Sequence, residues 1–481
     1  MITKQRNWVL WAIFSILCVF YFVNLRAFPP FIDEGFFVAE AEQTAAQGPF
    51  YSAQYGRTFT VWAITAVQAY RNDGILTARA IVLLAYLPTI AASIGIGRLM
   101  GGLFGAVWAA AFVGFNTLNF TFARLAISDT TATAAVMVGV YFAYRLSVRR
   151  RLWDAIWCGA AVFVAVGFKL SVLVYLGVPI AAALSLFPQG ESPRNWRTNA
   201  LWAAVALLVG GGLSVIFSLI LAWRGYGSIV SLFFLYNPQG IQLGQIPTHL
   251  LASLEWYASY VGVPIAAAAV LSVVWLLVRR KWFLPLCFIG PGIVFWLNSA
   301  QFSRYYLTPM TLLSLCLVAA LIDLSQLVSR SRVTWSITAV VAVWIVVIFL
   351  PFALTAYSAP SSLPLPQRDK DEYLLGDSSG AKLDQVLAIL REVGAEVVIG
   401  GLANCNGLRF TANNQPEVIC PNLNPSDAGG TAVQGLFVAD PNRTTYAVIE
   451  NLPYVPQSVN GALLVELERA YTRLAIYRLK P

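Results

Sequence analysis

The stretch Pro29-Pro30-Phe31-Ile32-Asp33-Glu34-Gly35-Phe36-Phe37 stands a few residues beyond a first apolar run, Trp8 to Leu25. It sets two carboxylates where a membrane-embedded chain would leave its bilayer. Charged groups beside hydrocarbon are costly and persist where they have partners or work. The prolines stop the preceding helix and the glycine loosens the turn that follows. Further along, a lone acid, Asp129, stands in Ala126-Ile127-Ser128-Asp129-Thr130 between two more apolar runs. Whether these acids serve one site is the question the sequence poses.

Of the 481 residues, 58% are hydrophobic and 11% charged, against roughly 25% charged in a soluble domain. The chain therefore reads as a polytopic α-helical membrane protein. Apolar runs of crossing length occur near 8–25, 76–97, 102–122, 130–147, 152–168, 170–187, 200–223, 256–278, 282–298, 306–327 and 334–356, about 11 transmembrane helices. Within 152–187, Lys169 leaves two short spans or a re-entrant pair. The first run follows Lys4 and Arg6 as a signal peptide would, but no small-residue cleavage site follows it, so it reads as a retained helix.

The net charge of +9 is spread through short loops between apolar runs, which is a topology signal rather than a nucleic-acid surface. With a cytoplasmic N-terminus, the inner loops hold Lys4, Arg6, Arg98, Arg145, Arg149, Arg150, Arg151, Arg194, Arg197, Arg279, Arg280, Lys281, Arg330 and Arg332. The outer loops are poorer in Lys and Arg for their length. This orientation puts Asp33, Glu34, Asp129, Lys169, His249 and Arg304 on the outer side of the inner or plasma membrane. An odd number of spans puts residues 357–481 there as well.

Residues 1–356 carry 22 Lys and Arg against 10 Asp and Glu, and residues 357–481 carry 10 against 13. The expected division is a transmembrane module over 1–356, with a long first outer loop at 26–75, and a small extracytoplasmic α/β domain over 357–481. Helical periodicity in 36–45 and 58–70 predicts helices lying in the interface. In the tail, 383–393 reads as a helix and 396–399, 446–449 and 474–479 as strands. Cys405 and Cys420 are the only cysteines outside the spans, and read either as a disulfide in an oxidising compartment or as two free thiols. Cys18, Cys158, Cys287 and Cys316 read as small apolar helix residues.

A single histidine leaves no room for His-rich metal sites and little for Ser-His-Asp schemes. No P-loop or dinucleotide fingerprint is present. Any metal would be a hard cation of the Mg²⁺ or Mn²⁺ type held by carboxylates, and no metal-ligand set or required cofactor is assigned. What remains is acids and cations on one face. A carboxylate within reach of an acceptor hydroxyl can act as general base. A lipid-linked sugar phosphate donor needs positive charge around its phosphate, for which Arg57, Arg124, Lys169 and Arg304 are candidates.

Three motifs in order resemble the GT-C membrane glycosyltransferases, especially the broad family of protein O-mannosyltransferases and lipid A aminoarabinose transferases. They are Ile32-Asp33-Glu34-Gly35-Phe36-Phe37 in a long first loop, Ala123-Arg124-Leu125-Ala126-Ile127-Ser128-Asp129, and Arg304-Tyr305-Tyr306-Leu307-Thr308-Pro309. The resemblance covers about residues 7–350. It implies transfer of a sugar from a polyprenyl-phosphate donor to a lipid, glycan or protein acceptor, with inversion at the anomeric carbon. It also implies that Asp33 is the catalytic base, Glu34 its structural or acceptor-binding neighbour, and Asp129 a second acid near the same pocket. Arg304 and Tyr305 match a motif of that family. Tyr55-Gly56-Arg57-Thr58 stands where the family carries a basic residue before two prolines, so Arg57 takes the phosphate role without those prolines. The Asp-x-Asp pattern of metal-using relatives is absent at 33–35.

Each feature also has a structural reading. Asp33, Glu34 and Asp129 suit helix N-termini, Arg124 and Lys169 suit snorkelling to headgroups, and Arg304 suits interfacial anchoring. His249 reads as a loop residue. Two other functions fit a polytopic chain: a transporter or flippase of lipid-linked sugars, and a scaffold presenting its outer domain. A transporter predicts internal repeats and broken helices with charges at mid-membrane, and the sequence shows neither clearly.

Overall fold

A computed structural model describes residues 7–52, 56–71, 73–185, 193–229, 243–297, 302–328, 331–421, 436–452, 455 and 459–480. Lys4, Arg6, Tyr55 and Arg330, used above for topology and motif, lie outside the described residues. The chain forms two compact units. One comprises 1–23, 50–60 and 82–355, and the other 24–49, 61–81 and 356–481. The first outer loop is thus divided, and most of it is counted with the tail rather than with the membrane helices.

Among the described residues, five helical stretches are long and apolar enough to cross a membrane: Gly74–Gly114, Ser128–Arg149, Arg197–Trp223, Ser303–Val328 and Arg332–Ser358. Val263–Val278 and Phe283–Trp296 together form a sixth apolar stretch bent by 118°, and Trp8–Phe22, Leu152–Phe168 and Leu170–Leu184 are shorter apolar segments. The run expected at 76–97 and the first part of that at 102–122 belong to one stretch, interrupted at Gly101 and Gly102, and Thr117–Ala123 is a separate short helix. The run expected at 256–278 is split at Gly262, whose φ of +88° only glycine adopts at low cost, and Pro264 then opens helix Val263–Val278. His249 lies in the first turn of the preceding helix, Ile246–Val261, rather than in a loop.

One helical hairpin in the first unit positions the chemistry. Helices Ser128–Arg149 and Leu152–Phe168 are joined by a two-residue turn, and Arg145 and Asp154 close it with a 3.0 Å ion pair. At 1.5 Å per residue these helices run about 33 Å and about 25 Å. The turn therefore returns the chain so that Lys169, at the end of the second helix, meets Asp129, at the start of the first.

The second unit is built on a five-stranded sheet of β1 (Val397–Gly401), β2 (Glu417–Ile419), β3 (Thr445–Glu450), β4 (Gly461–Glu468) and β5 (Arg473–Leu479), in the order β2-β1-β3-β5-β4. β1 is parallel to β2 and β3, while β5 is antiparallel to β3 and β4. Helix Leu383–Glu392 packs Leu383, Val386, Leu387 and Leu390 against Val398, Tyr446, Val448, Leu474 and Ile476. The alternate residues Ile399, Ala447 and Ile449 join Phe437 and Leu452 on the other face. Burial on both faces explains why β1 and β3 read as continuous apolar runs. Cys405, at the start of helix Cys405–Ala412, is disulfide-bonded to Cys420 just after β2. A fully buried Arg469–Glu450 pair at 2.8 Å braces β3. Burial pulls the Arg469 guanidinium below its usual value, and Glu450 opposes that pull.

Candidate functional site

In the second unit, Asp33 and Glu34 occupy the first turn of helix Ile32–Gln47. The extended Phe31 precedes it, and Ile32 N donates to Ser378 O at 2.8 Å, which fixes where the helix begins. Glu34 Oε2 accepts from Phe31 N at 2.8 Å, the return bond of a capping box. The same carboxylate receives a two-pronged bond from Arg79, Nε to Oε1 at 2.7 Å and Nη2 to Oε2 at 2.6 Å. Arg79 also donates to the carbonyls of Leu25, Phe28 and Pro29 at 2.7–2.8 Å. One guanidinium thus gathers the whole turn from 25 to 34. Both partners are buried, 2% and 0% exposed.

Asp33, by contrast, is only half-buried. One step along a helix rotates a side chain by about 100°, so Asp33 and Glu34 cannot share a direction. The geometry gives the two acids different circumstances: Glu34 is held by a buried arginine, and Asp33 remains accessible. Arg79 was missed in the sequence. Its signal was an arginine inside the apolar run 76–97, which at that depth demands a partner.

The first unit holds a cationic cluster at helix ends. Lys169 Nζ pairs with Asp129 Oδ1 and lies 4.1 Å from the centre of the Tyr305 ring. Arg304 stands over Phe302 and Tyr305, 5.1 and 5.5 Å from their ring centres. Arg304 and Tyr305 belong to the 3-10 turn Ser303–Tyr306 that opens helix Leu307–Val328. One helical turn further on, Thr133 and Thr308 join their hydroxyls at 2.7 Å, fixing that helix against Ser128–Arg149. Arg57 and Arg304 both act electrostatically on Lys169. Arg57 is placed by Leu170 N donating to Gly56 O at 3.3 Å. Gly56 has a φ of +67°, and a Cβ there would come 2.9 Å from the Leu170 side chain. Lys169, Asp129, Arg304 and Tyr305 thus stand together, with Arg57 within electrostatic reach of Lys169.

The same unit holds an apolar cavity of about 270 Å³, whose lining includes Pro88, Thr131, Ala135, Trp157, Ala161 and Phe168. Thr131 and Phe168 are close neighbours in sequence of Asp129 and Lys169.

Two of the sequence candidates are placed differently. Arg124 is fully buried, and its Nη1 donates to Tyr21 O at 3.1 Å and Val23 O at 2.7 Å, bracing the end of helix Asn7–Phe22. His249 is buried against Trp296 O at 2.7 Å. Among the described residues, no three His, Cys, Asp or Glu side chains cluster as a metal site would require.

No protein-family model matches the chain, and no curated protein matches it. Solved structures do. ArnT from Cupriavidus metallidurans bound to undecaprenyl phosphate aligns with a TM-score of 0.60 at 15% identity over 98% of each chain, and its apo state aligns with the same score at 16%. The archaeal oligosaccharyltransferase AglB from Archaeoglobus fulgidus, in complex with an inhibitory peptide and a dolichol-phosphate, aligns with a TM-score of 0.53 at 12% identity over 92% of this chain and 69% of that one. At these identities the likeness shows the fold. It is the GT-C fold that the sequence motifs resemble.

Proposed function

We propose that this protein is an integral membrane glycosyltransferase that moves a sugar from a polyprenyl-phosphate donor to a hydroxyl acceptor at the outer face of the membrane. The observation that carries the reading is the cluster of Lys169, Arg304, Tyr305 and Asp129, in the same unit as an apolar cavity lined by the neighbouring Thr131 and Phe168. The fold is shared with a structure that holds undecaprenyl phosphate. Lys169, Arg304 and Arg57 grip the donor phosphate, and the cavity takes the first part of the isoprenoid chain. Asp129 keeps Lys169 aimed, and Tyr305 walls the site. Arg124 is assigned a bracing role in place of phosphate binding.

Asp33 removes the proton from the acceptor hydroxyl as its oxygen bonds to the anomeric carbon. The bond from that carbon to the phosphate oxygen breaks, and polyprenyl phosphate leaves with the electron pair. A single displacement inverts the anomeric carbon. Glu34 holds the helix that carries Asp33. If the break at Gly101-Gly102, both arms of the bent pair and the three shorter apolar helices each count as crossings, the spans number eleven, and with the basic loops inside the N-terminus is cytoplasmic and the tail domain lies outside.

The test incubates the full-length protein with labelled polyprenyl-phosphate sugars and candidate acceptors, comparing wild type with Asp33→Asn, with and without a chelator. Asp33→Asn should lose about 10²-fold or more in transfer while still binding donor. Undiminished transfer by Asp33→Asn would remove Asp33 as base. Failure of the wild type with every lipid donor, combined with movement of the donor across a bilayer, would make the protein a transporter. The chelator arm decides metal dependence.

A further inference from the structure

Two backbone groups of the acid-bearing turn find their partners in the tail of the second unit. Ile32 N donates to Ser378 O at 2.8 Å, and the carbonyl of the buried Pro30 accepts from Asn404 Nδ2 at 2.6 Å. Phe31, between them, forms an antiparallel bridge with Ser379. Asn404 Nδ2 also reaches Ser378 O at 3.4 Å. One carbonyl oxygen thus receives both the first amide of helix Ile32–Gln47 and the asparagine.

Asn404 is 1% exposed and stands in the turn between β1 and helix Cys405–Ala412. On one flank, Ala403 N donates to Glu450 Oε2 at 3.0 Å, and Glu450 is held by the buried Arg469. On the other, Cys405 is disulfide-bonded to Cys420. The side chain therefore projects from a backbone fixed on both flanks. The carboxyl ends of parallel strands are where an open α/β sheet ordinarily presents groups to a ligand. Here the group is presented to the chain's own turn.

A bland account of Asn404 is that it caps a helix, since its Oδ1 accepts from Gly407 N at 3.1 Å. Serine or aspartate caps about as well. Serine has one short hydroxyl and ionised aspartate has no donor, so neither can cap with one atom and donate to a distant carbonyl from another. The bond from the Gly407 N–H also fixes which way the amide is turned, leaving Nδ2 toward the two carbonyls. A buried carbonyl such as that of Pro30 requires a partner. The asparagine answers to Pro30 as well as to the helix that it caps.

We propose that Asn404 is a positioning residue for sugar transfer. Through Pro30 O it fixes, from the tail, where helix Ile32–Gln47 begins, and with it the direction of the Asp33 side chain. The inference rests on Asp33 being the base. It gives the tail a share in the reaction: Arg79 gathers the turn through Glu34 and three carbonyls, and Asn404 and Ser378 hold its exit into the helix.

The test compares full-length wild type, Asn404→Ser, Asp33→Asn and the double variant, using a labelled polyprenyl-phosphate sugar that the wild type turns over and, for binding alone, undecaprenyl phosphate. Asn404→Ser should lower kcat about 10²-fold, the cost of misplacing a reacting group by about 1 Å. Donor KM and undecaprenyl phosphate binding should not change. Because serine keeps the cap, hydrogen exchange across 405–412 should stay as in the wild type, while the amides of 32–36 exchange faster. In the Asp33→Asn background the same change should cost almost nothing, since a residue that acts through the base then has nothing left to act on. A second variant, Asn404→Asp, keeps size and cap but turns a carboxylate oxygen toward two carbonyls, and should lose at least as much. Wild-type kcat in the folded Asn404 variants, an equal loss in both backgrounds, or an effect confined to donor KM would each overturn the proposal. Wild-type transfer by Asp33→Asn would instead remove the base assignment on which it rests.

Discussion

Side chains that stand together in the sequence have separate fates in the structure. Glu34 is buried and enclosed by Arg79 and the Phe31 amide, and Asp33 is half-buried. Removing one partner of a buried ion pair strands the other, at a cost of about 3–5 kcal/mol. Glu34→Ala should therefore lower the thermal unfolding temperature sharply, and adding Arg79→Met should recover part of the loss. If Glu34→Ala unfolds like the wild type, the brace is ornamental. Lys169 makes a different prediction, because its role is in binding. Lys169→Met should raise the donor KM roughly thirtyfold, for about 2 kcal/mol of charge-assisted hydrogen bonding, and leave the acceptor KM unchanged. Lys169→Arg should keep most donor affinity. An equal rise in both constants would point to misfolding instead.

At the scale of elements, helix Ile32–Gln47 packs closely on helix Cys405–Ala412. A Cβ on Gly35 would come within 2.6 Å of Gly407 N, Asn404 Nδ2 donates to Pro30 O at 2.6 Å, and Arg409 pairs with Glu42 at 2.8 Å. Overpacking at such a contact costs about 1–3 kcal/mol. Gly35→Val should destabilise the second unit, read as faster hydrogen exchange across 405–412, while the helices of the first unit keep their protection. The apolar runs at 130–147 and 152–168 and the buried strands β1 and β3 were legible because each carries a strong local signal, whereas the pairing of Lys169 with Asp129 was not. Local signals could not show that Arg79 seeks Glu34 across 45 residues, nor that helix Ile32–Gln47 buries its apolar face against a helix of the tail. β4 was also missed: none of its residues is buried, and its only alternation is the short Val465-Glu466-Leu467-Glu468, whose Val465 and Leu467 pack against the core.

For the molecule as a whole, the apolar cavity proposed to take the isoprenoid chain predicts a dependence on donor chain length. Ala161→Trp should obstruct it. Losing burial of two methylene-sized groups at about 0.8 kcal/mol each weakens affinity roughly tenfold. The KM should rise by that factor for long polyprenyl donors and stay unchanged for donors too short to reach Ala161. An equal effect on both would place the lipid tail elsewhere. The assignment of 24–49 and 61–81 to the same unit as 356–481 also has a consequence in time. Pro30 and Asn404 are 374 residues apart, so at roughly 5–20 residues per second the loop leaves the ribosome on the order of 20–75 s before its partner helix exists. The Glu34–Arg79 pair, only 45 residues apart, has both its partners synthesised early in that interval. It keeps the acid-bearing turn in shape while most of the protein is still unmade.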